Sequence, residues 1–367
     1  MSHHDRIEHI DVWRCLAIVL VIFSHIIEYS HPWYQESVPG FFWRARSLGG
    51  LGVQLFFCIS GFVICRGMLK ESKKDGSVNL RAFYIRRAFR ILPPLLVYIV
   101  VLMSFSIAGL VNLKANQVGA AIGFLCNIQP IDCGWFLGHT WSLAFEEQFY
   151  MVFPLLFLAC AVASHRDRLF TIAFGMLITT AIAQLTEQRL IAYYVTTFSY
   201  MVWGCVFAMY WDKLKPLLEK MPFPVWLLAA AALPGIHAQV IAVPAIVRDV
   251  IYPTLAPLLI CVVIFGTPAR HAIVRPLFTN AALAYLGRIS YSIYLWQQMV
   301  TGNLGFASPL YAVLLIPCVV VVAHLSFRYF ETRMIEMGAR LAAHSRKHAP
   351  RIGDDPLAPR DDTYWRR

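Results

Sequence analysis

Apolar segments of about 20 residues follow one another along nearly the whole chain, and this pattern limits what the chain can fold into. They lie at residues 10–30, 49–69, 91–111, 140–162, 169–187, 190–210, 223–241, 246–266, 281–301 and 307–327. A helix needs about 20 mostly apolar residues to cross a bilayer. Only 14% of the residues are charged, against roughly 25% in a soluble domain. The sequence therefore predicts an all-α integral membrane protein with about ten transmembrane helices.

The positions of Lys and Arg predict how these helices are oriented. With the N-terminus placed in the cytoplasm, all but five of the 32 Lys and Arg residues fall in segments predicted to be cytoplasmic. The five exceptions are Arg44, Arg46, Lys114, Arg189 and Arg248. Since cytoplasmic loops are enriched in Lys and Arg, both termini are predicted to be cytoplasmic. This asymmetry explains the net charge of +11, so no nucleic-acid partner is predicted.

Because the apolar segments run end to end, we predict one transmembrane domain over residues 1–337. Residues 338–367 are rich in Arg, Asp, Pro and His and are predicted to form a basic, disordered cytoplasmic tail. The first apolar run carries ionisable residues and no small-residue cleavage site, so we expect a retained first helix rather than a signal peptide. Segment 116–128 is apolar but short, and it fits either an interfacial or re-entrant piece or an eleventh span.

The nine cysteines show no metal-ligand spacing, and no metal site is predicted. Most of them lie inside the apolar segments. Cys126 and Cys133 are exceptions, because they flank a loop predicted to lie outside the cytoplasm, where a disulfide is chemically possible.

Two ionisable residues, Arg14 and His25, lie inside the first apolar segment. Eleven helical steps bring a side chain back to within roughly 20° of its starting direction and advance it about 16 Å, so both residues share one helix face. Ionisable residues in a membrane span usually face a pathway or a site. The alternative interpretation is a snorkelling arginine together with a structural histidine.

A second basic motif enters the third segment from the cytoplasmic side. Arg87 and Arg90 are three residues apart, so they are neighbours on one helix face. Guanidinium groups bind phosphate oxygens bidentately, and Arg14 is predicted at a similar depth. The three arginines therefore suit a phosphorylated ligand that enters from the cytoplasm. The alternative interpretation is that these arginines only anchor the helix at the cytoplasmic face, in accordance with the positive-inside rule.

The fourth segment places two adjacent carboxylates, Glu146 and Glu147, a turn or two inside its outer boundary. Adjacent helical residues point about 100° apart, so both cannot serve one site equally. We expect Glu146 to reach His25, because a His–carboxylate pair orients a general base. The alternative is a Glu–Arg pair that only holds two helices together.

Other polar side chains within the apolar segments are candidate substrate contacts. The amide of Gln54 stands in a glycine-rich run and is predicted to line an internal cavity. The Ser and Tyr hydroxyls of the ninth segment either line a polar cavity or bond one another between helices. The candidate substrate contacts are Gln54, Trp141, Ser142, Ser290, Tyr291 and Tyr294.

Taken in order, these motifs resemble those of the membrane acyltransferase family three. These bacterial integral-membrane O-acyltransferases modify O-antigens, exopolysaccharides, Nod factors, peptidoglycan and some antibiotics. The resemblance covers about residues 8–340 and rests on Arg14-x10-His25, the run from Gly52 to Phe62, Arg87-x-x-Arg90, Trp141-Ser-Leu-x-x-Glu146, Ser290-Tyr-Ser-Ile-Tyr-Leu-Trp and the region of Glu331. The chain departs from the family at Gln54, where an acidic residue is common, and at Gln297, where a histidine is common. His25 is therefore the sole motif histidine.

The resemblance implies an enzyme that transfers an acyl group, most often acetyl, to a hydroxyl of an extracytoplasmic or lipid-linked glycan. Acetyl-coenzyme A or another acyl-coenzyme A is the implied donor substrate, and no bound cofactor is implied. Arg14, Arg87 and Arg90 would bind the coenzyme phosphates. His25 would act as the base or relay the acyl group, and Glu146 would orient His25. The implied location is the bacterial inner membrane, as a multi-pass protein in contact with lipid.

Two other classes of function fit parts of the sequence. Intramembrane Arg, His and Glu residues also form proton relays in transporters of sugars or polyols. Transporters often carry an internal repeat with paired broken helices, and no such repeat is recognisable here. A non-catalytic scaffold would require the intramembrane charges to be purely structural.

Overall fold

The computed structural model describes residues 9–28, 44–161, 166–301 and 309–347, and within these ranges the chain is helical with no β-strand. The helices are α1 (His9–Glu28), α2 (Leu48–Asp75), α3 (Leu80–Ile107), α4 (Ala115–Ile122), α5 (Gly134–Gly138), α6 (Thr140–Ala161), α7 (Arg166–Leu185), α8 (Arg189–Met209), α9 (Trp211–Glu219), α10 (Phe223–His237), α11 (Tyr252–Phe265), α12 (Arg275–Phe278), α13 (Ala281–Arg288), α14 (Ser290–Thr301), α15 (Pro309–Leu325) and α16 (Thr332–Lys347). A π-helical turn precedes α11, and another joins α15 to α16.

The predicted all-α membrane fold is confirmed. Within the described ranges, seven helices are long and apolar enough to cross a membrane, or eight if the bent pair α9–α10 counts as one span. Large apolar side chains such as Val100, Met151 and Leu155 are exposed on the outer surfaces of α3 and α6. Such a surface is stable against lipid rather than water. The count of ten spans and the cytoplasmic placement of the termini stay predictions.

Three predicted spans differ in shape from simple helices. The third begins at Leu80, well before its apolar run, because the Asn79 side chain caps the backbone N–H of Ala82 at 2.8 Å. The seventh is the second half of the α9–α10 pair, which bends by 106°. The ninth is interrupted at Ile289 between α13 and α14. Beside that break, Gly287 packs directly on the backbone carbonyl of Asp11 in α1, where a larger residue has no room.

Helix α2 lies at the centre of the bundle, between α1 and α8. Its contact with α8 is close because two glycines face backbone of the other helix. Gly61 lies against the Met201 carbonyl and Gly204 lies against the Cys58 carbonyl. Small residues permit this approach of backbones, which gives membrane helices their packing energy. This close packing fixes the rotation of α2 about its axis, and with it the direction that the Ser60 side of the helix faces.

The first ten residues of the predicted tail are helical rather than disordered. Residues 338–347 belong to α16 and are helical, whereas residues 348–367 lie outside the described residues. The prediction was wrong for 338–347 because α16 has a face that packs on α3. Gly338 lies against the Phe89 side chain, and Ala342 is buried.

The segment predicted as either re-entrant or a span contains only the short helix α4, which covers about 12 Å at 1.5 Å per residue. It is therefore too short to cross the bilayer. The chain then passes through a loop in which Cys126 and Cys133 form a disulfide. This loop leads through α5 into α6, and so positions the start of α6 next to α14.

Candidate active site

A cavity of about 350 Å³ lies between α1, α2, α3, α13 and the start of α16. Five cationic side chains line it: Arg14, Arg66, Lys70, Arg90 and Arg288. Two carboxylates, Asp11 and Glu331, also line it. The Glu331 carboxylate accepts hydrogen bonds from Ser292 Oγ at 2.6 Å and Ser326 Oγ at 2.8 Å. The cavity, here named the cationic cavity, therefore carries an excess of positive charge at the predicted cytoplasmic side.

The three arginines predicted to bind phosphate do not all line this cavity. Arg14 and Arg90 do, whereas Arg87 is directed elsewhere. Its guanidinium carbon lies 3.7 Å from the centre of the Tyr150 ring, and its Nε lies 4.0 Å from Glu147 Oε1. A guanidinium so close to an aromatic face is held by cation–π attraction. Arg87 thus links α3 to α6, beside the cavity rather than in its wall.

A second, narrower cavity of about 70 Å³ adjoins the cationic cavity, and Arg14 and Tyr291 line both. We name it the inner chamber. Its polar lining brings together six of the eleven predicted site residues, namely Arg14, Ser142, Glu146, Ser290, Tyr291 and Tyr294, and adds Ser60. These residues come from four helices, so the packing of α1, α2, α6 and α14 builds the chamber.

Hydrogen bonds hold the polar groups of the inner chamber in place. Ser60 Oγ donates to Glu146 Oε1 at 2.6 Å. The hydroxyls of Ser142 and Tyr294 are 2.9 Å apart, and Tyr294 also donates to the His139 carbonyl. Ser290 Oγ is buried and has no hydrogen-bond partner among the residues that the structure describes. The chamber is therefore buried and lined by both apolar and polar side chains, and one of its polar groups is unsatisfied, as in a site that receives a ligand.

The predicted contact between Glu146 and His25 is wrong. Glu146 bonds Ser60, whereas His25 Nδ1 lies 3.1 Å from Gln297 Oε1. The Ser142–Tyr294 pair separates the two residues. Glu146 lies one helical turn beyond Ser142 in α6, and Gln297 lies about one turn beyond Tyr294 in α14. Because these helices run in opposite directions through the bundle, the two turns lead away from each other.

A chain of amide groups defines which nitrogen of His25 carries the proton. Gln298 Nε2 donates to the Trp135 carbonyl at 2.8 Å, and a carbonyl can only accept. The Gln298 Oε1 therefore accepts from Gln297 Nε2 at 2.9 Å. The Gln297 Oε1 is left facing His25, and it also accepts from Thr301 Oγ1 at 3.1 Å. Since this oxygen can only accept, Nδ1 of His25 is the protonated nitrogen and Nε2 is the basic one.

His139 is a further residue of the site that the sequence analysis did not single out. Its ring is buried against Tyr98 and Tyr294, with ring centres 5.6 and 5.0 Å apart. Neither ring nitrogen has a hydrogen-bond partner among the described residues. His139 lies two residues before Trp141 of the Trp141-Ser-Leu motif. The available signal in the sequence is a histidine at the start of an apolar helix.

Two other predicted substrate contacts, Gln54 and Trp141, lie on a different surface. They line a cavity of about 380 Å³ on the predicted extracytoplasmic side, between α2, α6, α7 and α8. Val53 and Phe57 line both this cavity and the inner chamber. The two spaces are therefore separated by one layer of side chains.

The chain was compared with known proteins. It is 26% identical to peptidoglycan O-acetyltransferase OatA of Listeria monocytogenes, over 90% of this chain and 56% of that protein. It is 27% identical to the putative O-acetyltransferase SACOL0978 of Staphylococcus aureus, over 80% of this chain and 54% of that protein. It is 26% identical to O-acetyltransferase OatA of S. aureus, over 91% of this chain and 58% of that protein.

The chain thus spans just over half the length of these curated relatives. No solved structure gives a significant match. The family model described as an acyltransferase domain matches residues 7–326, which is nearly all of the described membrane bundle. The predicted family is therefore confirmed: this chain belongs to the membrane acyltransferase family three.

Proposed function

We propose that this protein is a multi-pass O-acyltransferase of the bacterial inner membrane that moves an acetyl group from acetyl-coenzyme A to a glycan hydroxyl. The observation that carries the proposal is the meeting of the cationic cavity with the inner chamber at Arg14 and Tyr291. The first space suits a phosphorylated nucleotide. The second is too small for a nucleotide and suits the thioester end of the same molecule.

The charge of the cationic cavity supports coenzyme A as the donor. Coenzyme A carries a pyrophosphate and a ribose phosphate, and arginines bind such groups bidentately. Three arginines and a lysine line the cavity in addition to Arg14. Arg14 stands at the passage to the inner chamber, so it is placed to bind the phosphate nearest the pantetheine arm. Arg87 would act indirectly, by holding the middle of α6 against α3.

The chemistry of transfer follows from the position of His25. Its Nε2 takes the proton of the acceptor hydroxyl while the hydroxyl oxygen attacks the thioester carbonyl carbon. The carbon–sulfur bond then breaks, and the departing thiolate takes the proton from the imidazolium. The low-polarity surroundings limit hydrolysis of the thioester.

The names of the relatives support a glycan as the acceptor, because one is described as a peptidoglycan O-acetyltransferase. The outer cavity with Gln54 and Trp141 offers the acceptor a route from the opposite side of the membrane. A transporter would instead need one continuous passage that opens to each side in turn.

Binding of acetyl-coenzyme A to the purified protein tests the proposal. Arg14→Ala and Arg90→Ala should each weaken binding at least about tenfold, because each removes a charge-assisted hydrogen bond of about 1.5–3 kcal/mol. The exposed Arg275 lies outside the cavity, so Arg275→Ala is the matched control. Isothermal titration in detergent gives the dissociation constants. Equal affinity in all four proteins would contradict the assignment of the cationic cavity.

A further inference from the structure

Trp135 contacts the proposed base His25 in two ways. Its ring centre lies 5.5 Å from the His25 ring centre, and the two rings meet at 70°. Its backbone carbonyl accepts the hydrogen bond from Gln298 Nε2 that begins the chain of amide groups leading to His25. Trp135 therefore borders the imidazole directly and also determines, through Gln298 and Gln297, which imidazole nitrogen is protonated.

The direction of the amide chain depends on the Trp135 carbonyl. An amide presents either its oxygen or its NH2 group to a neighbour, according to which way its plane is turned. If this carbonyl moved away, Gln298 would be free to turn its NH2 group toward Gln297, and Gln297 would then turn its own NH2 group toward His25. Nδ1 would become the acceptor, the proton would move to Nε2, and Nε2 would no longer act as a base. The position of one carbonyl therefore decides which nitrogen of His25 is basic.

The backbone turn at Gly134 places this carbonyl. Gly134 has a φ of 61°, in the left-handed region that favours glycine. Its N–H donates to Asp132 Oδ1 at 2.8 Å, and a Cβ at this position would overlap the side-chain amide of Gln117 in α4. The chain thus turns sharply between Cys133 and Trp135, so a shift of Cys133 would be passed on to Trp135.

The loop before this turn is held firmly at its first half. We name residues 126–133 the disulfide loop. The side-chain amides of Asn127 and Gln148 exchange two hydrogen bonds, at 2.9 and 3.0 Å. The Tyr194 hydroxyl donates to the Asn127 carbonyl at 2.9 Å. Because Gln148 lies in α6 and Tyr194 in α8, the first half of the disulfide loop is anchored to two helices of the bundle.

The disulfide connects this anchored half to Trp135. Cys126 begins the loop, and Cys133 lies two residues before Trp135 and is buried. On the other side of Trp135, the Tyr98 hydroxyl donates to the Phe136 carbonyl at 2.8 Å. Trp135 is therefore held between two anchors, and the disulfide is the anchor on its N-terminal side.

We infer that Trp135 is a positioning residue for His25 and that the Cys126–Cys133 disulfide holds it in place. Opening this disulfide would shift the proton of His25 from Nδ1 to Nε2 in part of the molecules and slow acetyl transfer. The effect on transfer rests on the proposed function, whereas the link between the disulfide and the His25 proton does not. The disulfide thereby gains a role in the chemistry beyond closing its own loop.

NMR of protein labelled at its histidine nitrogens tests this link, because the nitrogen shift distinguishes a protonated ring nitrogen from an unprotonated one. The His25→Ala variant identifies the His25 signals by their loss. In the wild type, Nδ1 of His25 should carry the proton. In the double variant Cys126→Ser/Cys133→Ser, part of the signal should come from His25 protonated at Nε2.

Reduction of the wild-type protein provides the same test without a substitution. The disulfide lines a cavity of about 330 Å³ on the predicted extracytoplasmic side, where a water-soluble phosphine has access to it. The phosphine takes an oxygen atom from water and becomes its oxide, and the disulfide becomes two thiols. This treatment should change the His25 signals as the double variant does, and it should have no effect on the double variant itself.

Rates of acetyl transfer to soluble peptidoglycan fragments test the effect on the reaction. The double serine variant should lower kcat about fivefold or more, which corresponds to the loss of one hydrogen bond. The KM for acetyl-coenzyme A should stay unchanged, because the disulfide loop does not line the cationic cavity. Cys318→Ser replaces an exposed cysteine in α15 and is the matched control.

A combined variant separates positioning of His25 from a general loss of structure. Gln298→Leu removes the donor to the Trp135 carbonyl and should lower kcat about as much as the double serine variant does. Because both changes act through the same carbonyl, adding the serine substitutions to Gln298→Leu should lower kcat little further. Two structural defects that are independent of each other would instead multiply.

The outcomes separate this inference from the proposed function. Unchanged His25 signals after the disulfide is opened would overturn the inference, and so would losses of kcat that multiply in the combined variant. A wild-type protein whose His25 carries the proton on Nδ1 but that does not transfer acetyl groups would instead overturn the proposed function. Gel filtration and thermal melting show whether each variant is folded.

Discussion

At the scale of single residues, the main finding is the pair formed by His25 and Gln297. The sequence singled out His25 from its position on the face of Arg14, and that helical spacing is a local property. It could not identify the partner, because the two residues of the pair are 272 positions apart. The expected partner, Glu146, lies on the other side of the Ser142–Tyr294 hydrogen bond. In the sequence, Gln297 is recognisable only as a departure from the family pattern, yet in the structure its side-chain oxygen faces Nδ1 of His25.

Replacing Gln297 should slow the chemical step without weakening donor binding. Gln297→Leu removes the acceptor that holds Nδ1–H of His25, so both tautomers become accessible and kcat should fall about tenfold or more. The KM for acetyl-coenzyme A should stay unchanged. Gln297→His, whose ring can again accept the Nδ1 proton, should recover much of the activity. Steady-state kinetics with both substrates give these values.

The comparison with His25→Ala completes this test. That variant should lose at least about 10²-fold in kcat, the contribution expected of a general base. A Gln297→Leu variant as active as the wild type, next to an inactive His25→Ala variant, would show that Gln297 does not position the base.

At the scale of helices, sequence patterns predicted where the helices lie better than how they are shaped. Apolar length located α1, α2, α7 and α8 to within a few residues, except where α2 extends into the cytoplasmic run of lysines. The bend between α9 and α10 and the break at Ile289 depend on what packs beside them. Gly287 against the Asp11 backbone is such a contact. Residues 338–347 are predicted to be a tail because their apolar face is narrow. In the structure that face is stabilised by packing against the neighbouring α3.

The packing of α2 against α8 gives a stability prediction at this scale. A Cβ at Gly61 or Gly204 would overlap a backbone carbonyl of the other helix. Gly61→Ala and Gly204→Ala should therefore each destabilise the protein by about 1–3 kcal/mol, measured as a lower melting temperature in detergent. Gly175, in the middle of α7, has no neighbouring atom within 4 Å of such a Cβ. Gly175→Ala should leave the melting temperature unchanged or raise it, and equal losses in all three variants would contradict the packing argument.

At the scale of the whole molecule, polar spaces enter the bundle from both of its predicted faces. The cationic cavity adjoins the inner chamber at Arg14 and Tyr291, and Val53 and Phe57 line both the inner chamber and the cavity that contains Gln54 and Trp141. The asymmetry of Lys and Arg in the sequence predicted which face is cytoplasmic. Apolar periodicity predicted the bundle but could not reveal the cavities, because cavities form where side chains of several helices fail to fill the space between them.

This arrangement makes transfer from one side of the membrane to the other the central claim. The direct measurement uses protein in sealed vesicles, with labelled acetyl-coenzyme A added outside. The probe acceptor is a soluble glycan trapped inside, chitotetraose, which is the β-1,4-linked tetramer of N-acetylglucosamine. We predict that label appears on the trapped chitotetraose, carried by the molecules whose cationic cavity faces outward, and that His25→Ala abolishes it. Labelled chitotetraose formed only when it and acetyl-coenzyme A share one side of the membrane would contradict the account.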